Sequence, residues 1–272
     1  MLACALLAGA LFAQKRAMTH EDVWTMKRVG EPAVSPDGQW IVVSVTEPDY
    51  DPARQWSDLW LAPADGSAAP RRITFTKGAE SGAVWSPDGT RLAFTAKREG
   101  DDAAQIYVLP MRGGEAQRVT SAPAGASNPQ WRPGGQALLY ESDVDPLASE
   151  RKSRKWSARV YDTFPIRFWN AWLDEKRPHV FVQDLNGGAA RDLLEGTQLA
   201  SSRGFAGVFS GGGGQKLQAV WTPDGKAVVF AAYTNRDETM SAETESHLFV
   251  APAAGGEPKQ ITEPGQSFGS PK

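Results

Sequence analysis

One short turn recurs along this chain, and its recurrence limits the fold more than any other feature. Trp85-Ser86-Pro87-Asp88-Gly89 leads into the apolar run Leu92-Ala93-Phe94. Proline presets φ for the second turn position, Asp can bond its own backbone, and Gly takes the place where φ turns positive. The same chemistry returns at Val34-Ser35-Pro36-Asp37-Gly38, at Trp131-Arg132-Pro133-Gly134-Gly135 and at Trp221-Thr222-Pro223-Asp224-Gly225, each before an apolar strand. One copy would mean a hairpin. Four copies mean a repeat architecture.

A second element follows each turn. Asp58-Leu59-Trp60-Leu61, Gln105-Ile106-Tyr107-Val108, His179-Val180-Phe181-Val182 and His247-Leu248-Phe249-Val250 are β-branched or aromatic strands, each followed by a glycine turn and a short outer strand. With the strand entering each turn, a unit holds about four antiparallel strands. Pro36 to Pro87 is 51 residues, Pro87 to Pro133 is 46, and Pro133 to Pro223 is 90. The long interval resolves into one unit with two insertions, of 28 residues before His179 and 16 before Trp221. The expected fold is therefore all-β: a β-propeller of four-stranded antiparallel blades, about four of them present, with one short N-terminal helix. The blades fall near 31–75, 83–121, 129–196 (carrying the insertion 143–178) and 219–263. Ser270-Pro271-Lys272 reads as the opening of a fifth turn, so a fifth blade is cut off and the unpaired blade edges should favour aggregation.

Thr19 to Arg28 reads as the helix, with Thr19 and Asp22 forming a capping box, Val23 and Met26 facing inward, and Gly30 as the stop. Residues 1–17 read as a signal peptide and linker, because Met1–Ala13 is apolar but too short to span a membrane. The expected location is the periplasm or beyond the cell. Cys4 is the only cysteine, so neither a disulfide framework nor a thiolate metal site is available. A net charge of −3 gives no electrostatic reason to expect nucleic acid. The basic run Arg151-Lys152-Ser153-Arg154-Lys155 reads as a solvated face, and no cofactor is called for.

The helix running into Val29-Gly30-Glu31-Pro32-Ala33-Val34-Ser35-Pro36-Asp37-Gly38, the blade pattern and the third-blade insertion together resemble the N-terminal propeller of the prolyl oligopeptidase family of serine peptidases. The likeness is greatest to its bacterial dipeptidyl-peptidase and acylaminoacyl-peptidase branch. The insertion carries Arg159-Val160-Tyr161-Asp162 and Arg167-Phe168-Trp169-Asn170-Ala171-Trp172, similar to the branch's Arg-x-Tyr-Asp and Arg-x-Trp-Asp-x-Trp, with Asn170 where an Asp is usual. The resemblance implies an exported serine exopeptidase acting on short peptides. Its propeller would gate access, and its catalytic Ser, Asp and His would lie in a C-terminal α/β-hydrolase domain that this chain lacks. The rival reading is a non-enzymatic TolB-like propeller that binds a protein partner.

Several motifs invite chemistry and are better explained as scaffold. Gly265-Gln266-Ser267-Phe268-Gly269 fits a nucleophile elbow, but Pro264 before it and Pro271 after it suit a linker between blades. His179 and His247 share one repeat position, so with His20 they do not suggest a metal site. Gly211–Gly214 lacks the Lys-Ser/Thr of a phosphate loop. Trp85, Trp131 and Trp221 read as blade packing. The insertion is the functional candidate. Arg159, Tyr161, Asp162, Arg167 and Trp169 are its binding-prone residues, an acidic group suiting a peptide's free ammonium and an arginine suiting a peptide carbonyl.

Overall fold

The computed structural model describes residues 16–51, 54–158, 160–161, 166–168, 171–172, 176–209, 214–239 and 241–272. They form four antiparallel sheets in chain order. The first contains β1 (Arg28–Val29), β2 (Ala33–Val34), β3 (Trp40–Glu47), β4 (Trp56–Pro63) and β5 (Arg71–Arg72). The second is β6 (Glu80–Trp85), β7 (Arg91–Ala96), β8 (Gln105–Pro110) and β9 (Gln117–Arg118). The third is β10 (Ser127–Trp131), β11 (Ala137–Val144), β14 (Arg177–Asp184) and β15 (Arg191–Asp192), with the small hairpin β12 (Arg167–Phe168) and β13 (Ala171–Trp172) carried between β11 and β14. The fourth is β16 (Ala206–Phe209), β17 (Gln215–Lys216), β18 (Val220–Trp221), β19 (Ala227–Tyr233), β20 (Ser246–Pro252) and β21 (Lys259–Gln260). These are propeller blades: β1 and β2 are two pieces of one first strand on β3, β16 and β18 are two pieces of another on β19, and the remaining blade strands pair antiparallel in chain order.

Three apolar cores hold the blades face to face, one at each junction. Val42, Leu59, Leu92 and Phe94 fill the first; Ala93, Ile106, Trp131 and Leu138 the second; Leu139, Val180, Phe205 and Phe230 the third. The period-2 alternation within β7 explains how one strand serves two cores, since Leu92 and Phe94 face one neighbour and Ala93 the other.

The turns are built as their residues require. Ser35, Ser86 and Thr222 each donate a hydroxyl hydrogen bond to the Asp two residues on. Asp37, Asp88 and Asp224 also accept the backbone N–H of Gln39, Thr90 and Lys226. These bonds hold all three carboxyls below the usual range, Asp88 at about 2. Between blades the aromatics form a ladder. Trp85 Nε1 donates to the Ala33 carbonyl (3.0 Å), Trp131 to Val84 (3.1 Å) and Trp221 to Gln130 (3.4 Å).

The first strand of every blade is interrupted at one place. From Val29 to Ala33 it advances four residues while its partner advances three, Val45 to Val42. One-residue bulges of the same kind lie between Ser81 and Val84 and between Ser127 and Gln130. In the fourth blade the interruption from Gly207 to Val220 spans thirteen residues against three on β19, and it holds the β16–β17 hairpin. The second insertion, placed in the third unit by spacing, is thus largely an overgrown bulge of the fourth, whose sheet starts at Ala206 rather than near 219. Gly82, Asn128, Gln218 and Ser270 all take positive φ. Ser246 Oγ donates to the Phe268 carbonyl (2.6 Å) as Ser57 Oγ donates to Glu80 (2.9 Å). This register makes Ser270 the counterpart of Gly82. Pro271 is therefore the counterpart of Ala83, four residues ahead of a turn proline's place, and does not open a turn.

The helix also differs from expectation. It spans only α1 (His20–Trp24); the Thr19–Asp22 capping box forms, but Val23 and Met26 are exposed. The chain must reach β1, so the helix stops at Thr25, and its packing stripe is His20 and Trp24, both stacked on Tyr50. Gly30 is not its stop. It lies beyond β1, where its N–H bonds the Ser44 carbonyl and a Cβ would fall 2.2 Å from Ser44 Oγ.

Candidate functional site

Antiparallel topology gives each blade two edges. The Pro-Gly turns line one. The loops joining second to third strands line the other, and the insertion leaves from there, between Val144 and Arg177, the last register pair of β11 and β14. Its first part is the helix α2 (Ala148–Ser153). Asp145 accepts the Leu147 N–H and pairs with Arg151 at 2.7 Å; Arg154 pairs with Glu150 and lies 4.6 Å over Trp156. Two of the four basic residues are thereby neutralised locally, while Lys152 and Lys155 face solvent, in keeping with a solvated face.

Of the five sequence candidates, the structure places two. Tyr161 is half-buried, and Arg167 is exposed at the start of β12, in register with Trp172. Arg159, Asp162 and Trp169 lie outside the described residues, as do residues 211–213 of the glycine run. Tyr161 and Arg167 both belong to the segment projecting from the loop edge.

Constellations elsewhere prove to be scaffold. His179 Nδ1 bonds Asp192 Oδ2 at 2.7 Å, and Ser142 is the register partner of His179, which puts a serine, a histidine and an aspartate together. No hydrogen bond joins Ser142 to the imidazole. The same repeat position holds Asp58, which pairs with Arg72 (2.7 Å), Gln105, which bonds Thr120 (2.8 Å), and His247, near Thr262 (3.4 Å). The position ties the third strand of each blade to the chain at the end of its fourth. Burial pushes the Asp58 carboxyl up, against the pull of Arg72. Ser267 is exposed among residues 261–272, which hold neither a strand running directly into it nor a helix leaving it, so the strained elbow that activates a serine does not exist there. Among the described residues no three His, Cys, Asp or Glu side chains assemble as a metal-binding group, and no helix is long and apolar enough to cross a membrane.

A residue that sequence reading passed over is Glu141. It is 2% exposed on β11 and reaches into the next blade. Oε2 accepts the Leu217 N–H (3.0 Å); Oε1 accepts those of Ala219 (3.1 Å) and the Asn128 amide (3.0 Å). It pins the overgrown bulge of the fourth blade against the third. An acidic residue between Tyr140 and Ser142, with Asp143 close by, carries no local sign of such a role.

Known proteins similar to this chain agree with this architecture. The uncharacterized peptidase YuxL of Bacillus subtilis is 28% identical over 244 residues, covering 87% of this chain and 34% of that protein. Dipeptidyl-peptidase 5 of Porphyromonas endodontalis is 28% identical over 255 residues, covering 92% of this chain and 36% of that protein. The chain thus spans about a third of the length of these relatives, both named as peptidases. Among solved structures, the Pyrococcus horikoshii acylaminoacyl peptidase superposes with a TM-score of 0.60 at 14% identity, over 89% of this chain and 33% of that one. At that identity the likeness shows the fold alone. Residues 15–155 match the family described as the TolB beta propeller domain, and the chain belongs to that family.

Proposed function

We propose that this chain is the propeller portion of an exported serine exopeptidase, which acts on short peptides as a dipeptidyl- or acylaminoacyl-peptidase in the periplasm or outside the cell. The observation that carries the reading is the relation to two peptidases across nearly all of this chain but only a third of theirs. The remaining length accommodates an α/β-hydrolase domain whose serine attacks the peptide carbonyl, activated by a histidine that an aspartate orients. The propeller's part is to restrict entry and to hold the substrate. The insertion leaves from the loop edge and carries polar and aromatic residues suited to that purpose, with Arg167 exposed on its hairpin. A guanidinium there can donate a forked pair of hydrogen bonds to a peptide carbonyl or carboxylate.

In the whole gene product, Arg167→Ala should raise KM for dipeptidyl substrates about tenfold, the loss of about one charge-assisted hydrogen bond, and leave kcat within about twofold. Steady-state kinetics on peptidyl 4-nitroanilides check this. An unchanged KM removes Arg167 from substrate contact.

A further inference from the structure

The three blade junctions differ on the turn edge. Where the second blade meets the third, Arg91 lies 4.6 Å over the Trp131 ring and its Nη2 donates to the Gly135 carbonyl at 2.8 Å. Where the third meets the fourth, Arg132 lies 5.5 Å over Trp221 and its Nε donates to the Gly225 carbonyl at 2.8 Å. The two arginines start from different places. Arg91 follows its turn proline by four residues, and Arg132 precedes its own by one. Their guanidinium groups nevertheless end in the same position, on the indole before a turn and the carbonyl of that turn's last glycine.

At the junction of the first and second blades the two corresponding donor positions hold Trp40 and Ser35. Here Trp85 and Gly89 line a cleft of about 320 Å³, whose walls include Asp37, Trp40, Arg71 and Asp88. A Cβ built on Gly135 would lie 3.5 Å from Arg91 Nη2, and one on Gly225 would lie 3.2 Å from Arg132, whereas one on Gly89 meets only Pro36, at 3.6 Å. Among the described residues no cation stands over Trp85 and no donor reaches the Gly89 carbonyl.

We propose that this cleft binds an arginine side chain of another polypeptide, its guanidinium stacked on Trp85 and donating to the Gly89 carbonyl. The other two junctions display that arrangement within the chain itself. Charge favours a cation as well. Asp37 and Asp88 both line the cleft, and each commits Oδ1 to its turn, bonds that hold both carboxyls below the usual range. Arg71 in the wall opposes them, and Arg91, already bonded to Gly135, also acts on Asp88. Lysine is a poorer guest because an ammonium cannot lie flat on an indole and fork its donors between a carbonyl and a carboxylate. The site lies on the edge opposite the insertion, so it holds whether or not the insertion contacts substrate.

The test is an indole ¹⁵N–¹H titration of the chain with N-acetyl-arginine methylamide, the Trp85 signal being identified by Trp85→Phe. A saturable shift of Trp85, at least about tenfold weaker with the lysine analogue, is expected. Trp40→Arg places an arginine at the register of Arg91. It should abolish the response and raise Tm by about 2–4 °C, because the chain then fills its own cleft. Asp37→Asn with Asp88→Asn keeps both turn acceptors while removing the charges, and should weaken the arginine response about fivefold. The proposal is overturned if Trp85 does not respond or if arginine and lysine act alike. It is likewise overturned if the wild-type response survives in a folded Trp40→Arg protein. Should that variant fail to fold, as its indole spectrum would show, an undiminished response in the Asn pair overturns the proposal.

Discussion

Glu141→Leu should destabilise the chain by about 3–5 kcal/mol, a loss comparable to breaking a buried charged partnership from one side. Leucine fills much of the same space, so the loss comes from polarity rather than from a cavity. The N–H groups of Leu217 and Ala219 and the amide of Asn128 would be left without the carboxylate that accepts them. Leu217 and Ala219 are themselves buried, so water cannot replace it. Glu141→Gln keeps one acceptor oxygen but turns an NH₂ toward backbone donors, and should lose about half as much. Urea unfolding midpoints of the two variants measure both effects. A typical domain has about 5–15 kcal/mol in hand, so the leucine variant should also loosen the fourth blade at ordinary temperature. Faster amide exchange confined to residues 206–221 would register it. Equal stability of the leucine variant and the parent would mean that the carboxylate does not hold the junction.

Trp131→Ala should cost about 3–5 kcal/mol, the range for removing a large buried aromatic. Trp131 is 8% exposed, packs with Ala93, Ile106 and Leu138, carries Arg91 on its face and donates to the Val84 carbonyl. Trp131→Phe separates size from polarity. It keeps most of the packing and loses the indole N–H, for about 1–2 kcal/mol. Trp221→Phe should lose less, since its bond to Gln130 is longer, at 3.4 Å. If the two phenylalanine variants are indistinguishable from the parent, the indole ladder is packing alone.

The fold was legible because its signals are local and repeated. Turn proline, Asp and Gly act within five residues, and their spacing alone reveals four blades with an overgrown third. What escaped the sequence depends on contacts between blades. The ten extra residues between Gly207 and Val220 look like linker until β16 is seen paired with β19, because short strands in a bulge leave no periodic trace. Val23 and Met26 suggested an inward helical stripe, yet the chain has to turn into β1, and Trp24 packs on Tyr50 from a distant loop instead. Pro271 looked like a turn proline because proline alone does not mark its place in the repeat; the bond from Ser246 to Phe268 does. The candidate residues of the insertion were singled out for composition and family resemblance. The cleft beside Trp85 escaped for another reason. Its distinguishing feature is that neither Ser35 nor Trp40 is arginine, and this is visible only once Arg91 and Arg132 are seen to converge from different positions.

The central claim is that this propeller serves a serine peptidase. Its most direct test compares chain 1–272 with the whole gene product on free dipeptidyl and blocked aminoacyl 4-nitroanilides, with fluorophosphonate labelling of both. Turnover and labelling by the whole product, at a serine outside 1–272, with neither in the isolated chain, is the predicted result. Turnover by 1–272 alone, or none by the whole product under conditions where it is folded, would contradict it.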